Sequence, residues 1–299
     1  MNLGYACINM TLGEHKPKIT TNRSMIKKTF KEKGIKYASE LGLQNSRDLV
    51  EIIKWNNHNG INFFRLTSDL FPWASEYNLK ELPHYNLIED ILGVAGALAN
   101  KCGQRITSHP GPFNVLVSPK QHVVENTIAD LTLHGEVFDM LGLSRSPYNK
   151  INIHCNGVYG DKIAAMDRFC KNFERLPKSV QTRLTVENDD KASMYSVNDL
   201  MYIHERIGIP IVFDYHHHKF CTGDLSEEEA LKLAVSTWND VKPVVHYSES
   251  KALHERNDKL KPQAHSDYIK ELPNTYGLDL DVMVEAKAKE LSILPFINS

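Results

Sequence analysis

Eight short apolar or β-branched runs recur along this chain of 299 residues, and stretches with helical periodicity separate most of them. The predicted strands lie at 3–8, 62–66, 105–109, 150–155, 183–187, 209–214, 243–247 and 281–285. The predicted helices between them lie at 47–57, 87–101, 119–141, 162–173, 196–207 and 226–238. This alternation restricts the chain to a (β/α)8 barrel or an extended doubly wound sheet.

Side chains that commonly bind metal ions lie at, or just beyond, the ends of most of these predicted strands. The candidate ligands are His109, His154, Glu187, Asp214, His217, His246, His265 and Glu285, and all but His265 occupy such a position. A (β/α)8 barrel gathers the carboxyl ends of its strands at one rim, so residues far apart in sequence meet in one pocket. We therefore predict an α/β fold, a single (β/α)8 TIM barrel with a metal cluster at its C-terminal rim.

Imidazole and carboxylate ligands suit divalent ions such as zinc, manganese and iron. Carboxylates shared between ions can hold two or three of them together. Asp214 and His217 lie three residues apart just beyond a strand, so both can turn toward one ion. Glu187 and Glu285 end strands, where a buried, unpaired carboxylate is costly; metal coordination offsets that cost. A surface ion pair is the alternative for either glutamate taken alone. We expect His216 behind the ligands or in solvent.

A cluster of this type hydrolyses phosphodiesters by holding a hydroxide for in-line attack while neutralising the phosphate oxygens. The same ligands suit a metal-dependent sugar isomerase or epimerase. Composition and spacing do not separate these two functions. Among the candidate ligands, we expect catalytic roles for Glu187, His246 and Glu285.

The composition is ordinary for a globular protein, with 41% apolar and 24% charged residues. No apolar run approaches the roughly 18 residues of a membrane span, and the N-terminus lacks the basic region of a signal peptide. We therefore expect an intracellular protein that does not bind membranes.

Five cysteines without a CxxC pair favour reduced thiols. Because no linker or repeat divides the sequence, we expect one domain over 1–299. We also expect a monomer.

The formal net charge of −2 gives no overall basic signature of nucleic-acid binding. The most basic part of the chain is 9–46, which carries Lys16, Lys18, Arg23, Lys27, Lys28, Lys31, Lys33 and Lys36. One interpretation is a solvated helix and loop that cover the first strand–helix connection. The other is a surface that contacts a phosphate backbone.

Seven sequence motifs are more specific than the ligand spacing. They are FFRLTSDLFPWAS at 63–75, SHPG at 108–111, ENDD at 187–190, FDYHHH at 213–218, HYSES at 246–250, AHSDYI at 264–269 and DVMVEAKAKE at 281–290. With GYACIN at 4–9, they cover nearly the whole chain. In these motifs the chain resembles the UV damage endonucleases, a DNA-repair family with a TIM barrel related to the endonuclease IV type.

The resemblance implies nicking of duplex DNA immediately 5′ to cyclobutane pyrimidine dimers and (6-4) photoproducts. It also implies a cluster of two or three divalent ions, manganese first and zinc, magnesium or cobalt as alternatives, held by the eight candidate ligands. Tyr5 and Asn9 match residues that meet the lesion in the family, with a core tyrosine and a turn asparagine as the alternative. Pro112 and Phe113 match a pair that wedges into the duplex, and such a wedge would fill the gap beside a poorly stacked lesion.

The chain departs from the family pattern at two places. Many members carry a lysine two residues before the histidine of the seventh strand, where this chain has Val244. Lys242, two residues further back, lies on the same strand face and is expected to support the metal ligands from behind. The FP segment is followed by Ser75 and Glu76, where relatives often have Ser-His. Both departures bear on rate, pH response or metal preference.

Two further functional alternatives stay open at this stage. An apurinic-site endonuclease would share the metal ligands but would need a pocket for a flipped abasic sugar. A damage-binding module would recognise the lesion without cutting the DNA. Comparing incision of abasic duplexes with incision of dimer-containing duplexes distinguishes the first alternative. Glu187→Ala distinguishes the second, because it would leave the function of a binding module intact and should abolish that of a nuclease.

Overall fold

The eight predicted strands form one closed parallel barrel in sequence order, in a computed structural model that describes residues 1–297. The strands are β1 (Leu3–Ala6), β2 (Phe63–Leu66), β3 (Arg105–Ser108), β4 (Ile151–His154), β5 (Leu184–Glu187), β6 (Ile211–Asp214), β7 (Val244–Tyr247) and β8 (Asp281–Val284). β1 pairs with both β2 and β8, which closes the barrel. The predicted (β/α)8 TIM barrel is confirmed.

Helices surround the barrel and connect successive strands. They are α1 (Met10–Gly13), α2 (Lys27–His58), α3 (Tyr85–Lys101), α4 (Gln121–Met140), α5 (Lys162–Phe173), α6 (Lys178–Gln181), α7 (Val197–Ile207), α8 (Tyr215–His218), α9 (Glu227–Ser236), α10 (Lys251–Glu255) and α11 (Glu290–Ile297). Short 3-10 helices lie at Ala74–Glu76, Leu79–Glu81 and Pro147–Asn149. None of the helices within residues 1–297 is long and apolar enough to cross a membrane.

Local sequence explains several helix ends. Ser196 and Ser226 each form a capping box with the acidic residue three positions later, which satisfies backbone N–H groups at the starts of α7 and α9. Gly208 ends α7 in the left-handed conformation that glycine adopts without a steric cost. These signals were readable in the sequence, and both helices begin and end within two residues of the predicted bounds.

The helix predicted at 47–57 is only the final part of α2, which begins twenty residues earlier at Lys27. The first buried side chain of α2 is Ala38, so its start has no buried apolar face that a periodicity search could detect. The predicted helix start was therefore wrong because it relied on that periodicity.

Gly34 interrupts α2 with φ of 63° and ψ of −160°. A side chain here would meet no neighbouring atom within 4 Å, so the requirement for glycine is one of backbone conformation alone. We expect Gly34→Ala to lower the free energy of unfolding by about 1–2 kcal/mol. Urea denaturation followed by circular dichroism measures this effect, and an unchanged midpoint would show that the kink relaxes without cost.

The barrel interior contains both apolar and buried polar side chains. Ala6, Phe63, Val212, Trp238, Val244 and Met283 form one buried apolar cluster. The Arg105 guanidinium of β3 lies 5.8 Å from the ring centroids of Phe63 and Trp238 in this cluster, and it contacts the Asp281 carboxylate of β8, with Nη1 and Oδ2 3.1 Å apart. Side chains from strands that are not neighbours therefore meet inside the barrel.

Candidate metal centre

Seven of the eight candidate ligands meet at the carboxyl ends of the strands in three overlapping groups. The groups are His109, His154 and Glu187; Glu187, Asp214 and His217; and Asp214, His246 and Glu285. Within each group, the potential ligand atoms lie within 4.8 Å of one another. Because Glu187 and Asp214 each belong to two groups, a shared carboxylate links every group to the next.

Strand register and one helix cap produce this arrangement. His154 lies beside Glu187 on β4 and β5, and Asp214 lies beside His246 on β6 and β7. The Asp214 carboxylate accepts a hydrogen bond of 2.7 Å from the His217 backbone N–H and so caps α8. This cap turns the chain at the end of β6 and brings the His217 side chain back toward the barrel mouth.

Glu187 is the centre of the cluster and is almost completely buried. Its Oε2 lies 3.0 Å from His109 Nε2 and 3.1 Å from His246 Nδ1, and its Oε1 lies 3.5 Å from His217 Nδ1. Burial raises the pKa of Glu187, but His246 and His154 outweigh burial and hold this pKa well below its ordinary value. The carboxylate is therefore ionised and available as a ligand.

Glu285 is held in place by Arg65, whose guanidinium donates a hydrogen bond to the Glu285 carboxylate. The same carboxylate lies 3.2 Å from His246 Nδ1. Burial raises the pKa of Glu285, but the charge of Arg65 outweighs burial and keeps the group ionised. Arg65, on β2, thus orients Glu285, one of the candidate ligands.

Two carboxylate oxygens of the candidate metal centre are buried without hydrogen-bond donors in the described part of the chain, as expected of atoms that bind cations. Glu187 Oε1 and Asp214 Oδ2 are buried, and neither accepts a hydrogen bond from any of residues 1–297. A buried oxygen acceptor without a donor costs free energy unless a cation satisfies it. Together with the imidazoles around them, these atoms form a donor set that could bind divalent metal ions.

His265 stands at the edge of the cluster. Its Nδ1 lies 2.9 Å from the Glu285 backbone oxygen and 3.8 Å from Glu285 Oε2. The centres of its ring and the His217 ring are 6.4 Å apart. His265 therefore borders the site on the His217 side without belonging to one of the three groups.

His216 is buried. Of the two positions expected for it, the one in solvent is therefore wrong, and the one behind the ligands agrees with the structure. Its ring packs edge-on against His265, with centroids 5.6 Å apart, and against Phe220 at 5.3 Å. His218 is also buried, against Phe213. The short helix α8 lies against the barrel, which leaves these alternate histidines no route to solvent.

Lys242 lies at the opposite end of the barrel, and this placement corrects its expected role behind the ligands. Its Nζ is 2.9 Å from Oδ1 of Asp279, which precedes β8, and 3.2 Å from Oδ1 of Asp281, the first residue of β8. Sharing a strand face with His246 does not bring Lys242 near the site, because four residues of strand span about 13 Å. Val244, between them, packs in the apolar cluster.

A different lysine approaches the centre from inside the barrel. Lys150 is fully buried, and its Nζ lies 3.0 Å from His246 Nε2. Burial lowers the pKa of Lys150 to about 7. This contact fixes the His246 ring so that its other nitrogen, Nδ1, faces Glu187 and Glu285.

Sequence reasoning missed several residues that support the ligands: Arg65, Lys150, Asn152 and Asp189. Asn152 donates a hydrogen bond to Glu187, and Asp189 Oδ1 lies 3.3 Å from His154 Nδ1. For Lys150 and Asn152 the available signal was the alternation in KINIH, which places both on the strand face of His154, since alternate residues share one face. For Arg65 it was a single charged residue within the apolar strand FFRL.

The residues expected to meet DNA fall into two classes. Tyr5 and Asn9 are buried: the Tyr5 hydroxyl donates to Asn56 Oδ1 and accepts a hydrogen bond of 2.9 Å from Asn9 Nδ2, while Asn9 caps α1. This geometry matches the alternative of a core tyrosine and a turn asparagine. Pro112 is exposed, and Phe113 is 87% exposed on the loop after β3.

Known proteins resemble this chain over its whole length. It matches the family described as UV-endonuclease UvdE over residues 1–299. It is 36% identical to the UV-damage endonuclease of Schizosaccharomyces pombe, over 97% of this chain and 49% of that protein. It is 32% identical to the UV DNA damage endonuclease of Bacillus cereus strain Q1, over 100% of this chain and 94% of that protein. The chain thus spans about half the length of the fungal relative.

Solved structures agree with these sequence matches. The crystal structure of SacUVDE superposes with a TM-score of 0.86 at 31% identity, covering 100% of this chain and 97% of that one. D-Psicose 3-epimerase from Clostridium cellulolyticum H10 superposes with a TM-score of 0.55 at 12% identity, over 96% of this chain and 85% of that one, a likeness of fold alone. On the sequence match and the SacUVDE structure together, the chain belongs to the UV-endonuclease UvdE family.

Proposed function

We propose that this chain is a metal-dependent endonuclease that nicks duplex DNA immediately 5′ to UV photoproducts, with residues 1–299 acting as one domain. The observation that carries the proposal is the convergence of seven ligand-type side chains at one barrel rim in a chain of this family. The relatives' names specify UV damage as the target of those proteins. The proposal extends that target to this chain.

The candidate ligands would hold two or three divalent ions, for which we propose manganese. When bound, such ions would activate water for attack on the phosphate and would neutralise the charge on its oxygens. Glu187 and Asp214 each belong to two neighbouring ligand groups and would be among the residues that hold these ions. His265, at the edge of the cluster, would complete the site beside His217.

The protein's own groups would prepare the site for this chemistry. Glu187, Glu285 and His246 would act closest to the reacting phosphate, since His246 Nδ1 lies 3.1 Å from the Glu187 carboxylate and 3.2 Å from the Glu285 carboxylate. Arg65 orients Glu285, and Lys150 orients the His246 ring. Ligands held by buried partners do not need to reorganise during the reaction, and this preorganisation lowers its barrier.

Incision of a duplex that carries one site-specific thymine dimer tests the proposal, with manganese or with EDTA, and with the cut mapped to the nucleotide. We expect a nick directly 5′ to the dimer with manganese, and none with EDTA or on undamaged duplex. Cutting of an abasic duplex but not of the dimer would assign the protein to apurinic endonucleases. Inactivity on both would contradict the proposal, and metal-dependent sugar turnover would then favour an epimerase.

Phe113 is the residue we propose to insert beside the lesion. Because base–aromatic stacking contributes about 1–3 kcal/mol, Phe113→Ala should lower incision at a dimer by roughly 10-fold or more, and Phe113→Tyr should restore it. Single-turnover kinetics measure the effect. Val94→Ala, at another exposed apolar position, is the matched control and should leave the rate unchanged. Equal rates for Phe113→Ala and the unmodified protein would contradict a wedge.

Metal binding is expected to release protons near neutral pH. Burial lowers the pKa of His217, but Asp214 and Glu187 outweigh burial and raise it to about 9, so this imidazole is protonated in the metal-free protein. The imidazole must lose its proton to become a ligand, so metal affinity should rise as the pH increases toward 9. Calorimetry in two buffers with different ionisation enthalpies measures the proton release. Equal binding heats in both buffers would contradict it.

A further inference from the structure

We propose that residues 14–36, here called the basic segment, bind the phosphate backbone of duplex DNA beside the metal centre. This inference rests on the proposed function, because it assigns the place of the DNA on the same face. The sequence left two interpretations of this region open. The inference selects contact with a phosphate backbone, and it rejects a solvated helix and loop that only cover the first strand–helix connection.

The distribution of charge along the chain is strongly uneven. The basic segment contains eight lysine or arginine residues and two glutamates, a net charge of +6. The rest of the chain contains 27 basic and 35 acidic residues, a net charge of −8. The overall value of −2 therefore conceals one positive region on an otherwise acidic protein.

Most of this positive charge is exposed and is not neutralised by close partners. Arg23 is tied to the Asp48 carboxylate at 2.6 Å, and Lys28 lies 4.0 Å from Glu32, a weak exposed pair. The exposed lysines of the segment are Lys16, Lys18, Lys27, Lys28, Lys31, Lys33 and Lys36. Like charges at this density repel one another, and a polyanion would relieve that repulsion.

The segment lies at the same end of the barrel as the candidate metal ligands. It follows the carboxyl end of β1, where the Thr21 hydroxyl donates a hydrogen bond of 2.9 Å to the Cys7 backbone oxygen. Helix α2 must then run back along the barrel to reach the start of β2, so its first turns stand at the carboxyl ends of the strands. A duplex at the metal centre would pass close to these turns.

Aromatic contacts hold the lysines on an ordered surface. The Phe30 ring stacks on Trp73 with centroids 5.8 Å apart, and the Trp73 indole N–H donates a hydrogen bond of 2.8 Å to the Met25 backbone oxygen. Lys27 Nζ lies 5.9 Å from the centroid of the same indole. Because the start of α2 is fixed on the loop after β2, less conformational entropy is lost when DNA binds.

The salt dependence of DNA binding tests the proposal. Each lysine–phosphate contact releases counterions and adds about 0.9 to the slope of log K against log salt concentration. Removing two contacts with Lys28→Ala/Lys31→Ala should reduce that slope by about 1.8, and Lys28→Glu/Lys31→Glu should reduce it at least as much. The measurement is fluorescence anisotropy with a short duplex in EDTA, from about 50 to about 200 mM KCl.

The matched control is Lys101→Ala/Lys178→Ala, which removes two exposed lysines from the end of α3 and the start of α6, at the amino ends of the strands. We expect the control to keep the original slope. An unchanged slope in the Lys28/Lys31 variants, or an equal loss in the control, would overturn the inference. So would failure of the unmodified protein to bind duplex DNA.

Incision of the dimer-containing duplex by the unmodified protein separates this inference from the proposed function. Normal incision with an unchanged slope in the variants contradicts the basic segment alone. A reduced slope without incision by the unmodified protein supports the DNA surface and contradicts the nuclease. Binding to vesicles of anionic lipid in place of duplex DNA would reassign the surface to membranes and overturn the inference.

Discussion

Glu187→Gln is expected to lower the rate of incision at least about 10²-fold while the barrel stays folded. Glutamine keeps the size of the side chain but removes the charge that Glu187 presents to His109, His246 and the ligand groups it links. A loss of 10² corresponds to about 2.7 kcal/mol of transition-state stabilisation, a reasonable effect of displacing metal ligands. Single-turnover incision of the dimer-containing duplex measures it, and His109→Ala should give a loss of similar size.

The matched control for this prediction is Glu205→Gln on the exposed outer side of α7, which should leave the rate unchanged. Metal titration of the Glu187 variant by calorimetry adds a second measurement, in which weaker binding is expected. Undiminished incision by both Glu187→Gln and His109→Ala would contradict the metal assignment. Retained binding of damaged DNA with no incision by the unmodified protein would instead indicate a damage-binding module.

Asp281→Ala is expected to lower the free energy of unfolding by about 3–5 kcal/mol, because it leaves the buried Arg105 charge without its partner. The Asp281 carboxylate contacts Arg105 Nη1 at 3.1 Å and accepts a hydrogen bond of 3.0 Å from the Asn2 backbone N–H. Arg105 is completely buried, so water cannot replace the lost partner. Guanidinium denaturation measures the change.

Asp279→Ala provides the control for this second prediction. Asp279 also contacts Lys242, but its side chain is 76% exposed, and we expect a change within about 0.5 kcal/mol. The double variant Arg105→Met/Asp281→Leu should recover much of the lost stability, because it removes both buried charges. If Asp281→Ala proved as mild as Asp279→Ala, the carboxylate would not be compensating the guanidinium.

The candidate ligands were predictable because their signal is local. A β-strand places alternate residues on one face, and parallel strands end at one rim, so Glu187 at the end of RLTVE needed no tertiary information to be placed there. The same reasoning applies to His154 and His246. Serine caps and the glycine after α7 were equally local, since each satisfies or ends its own helix.

The depth of a side chain in the barrel was not predictable in this way. Lys242 and Lys150 both precede strands that carry candidate ligands, yet Lys242 pairs with exposed and buried aspartates at the bottom while Lys150 reaches His246. The difference depends on which partners the closed barrel places across from each lysine. No pattern within one strand contains that information.

The sequence by itself determined the barrel, the order of its strands and the rim at which the ligand types lie, because strand period and chain connectivity are local properties. Only the tertiary structure decided that Tyr5 and Asn9 are buried and that Arg65 holds Glu285. It also decided that Thr21 ties the basic segment to the backbone just after β1. These facts depend on contacts between residues distant in sequence, which closure of the barrel brings together.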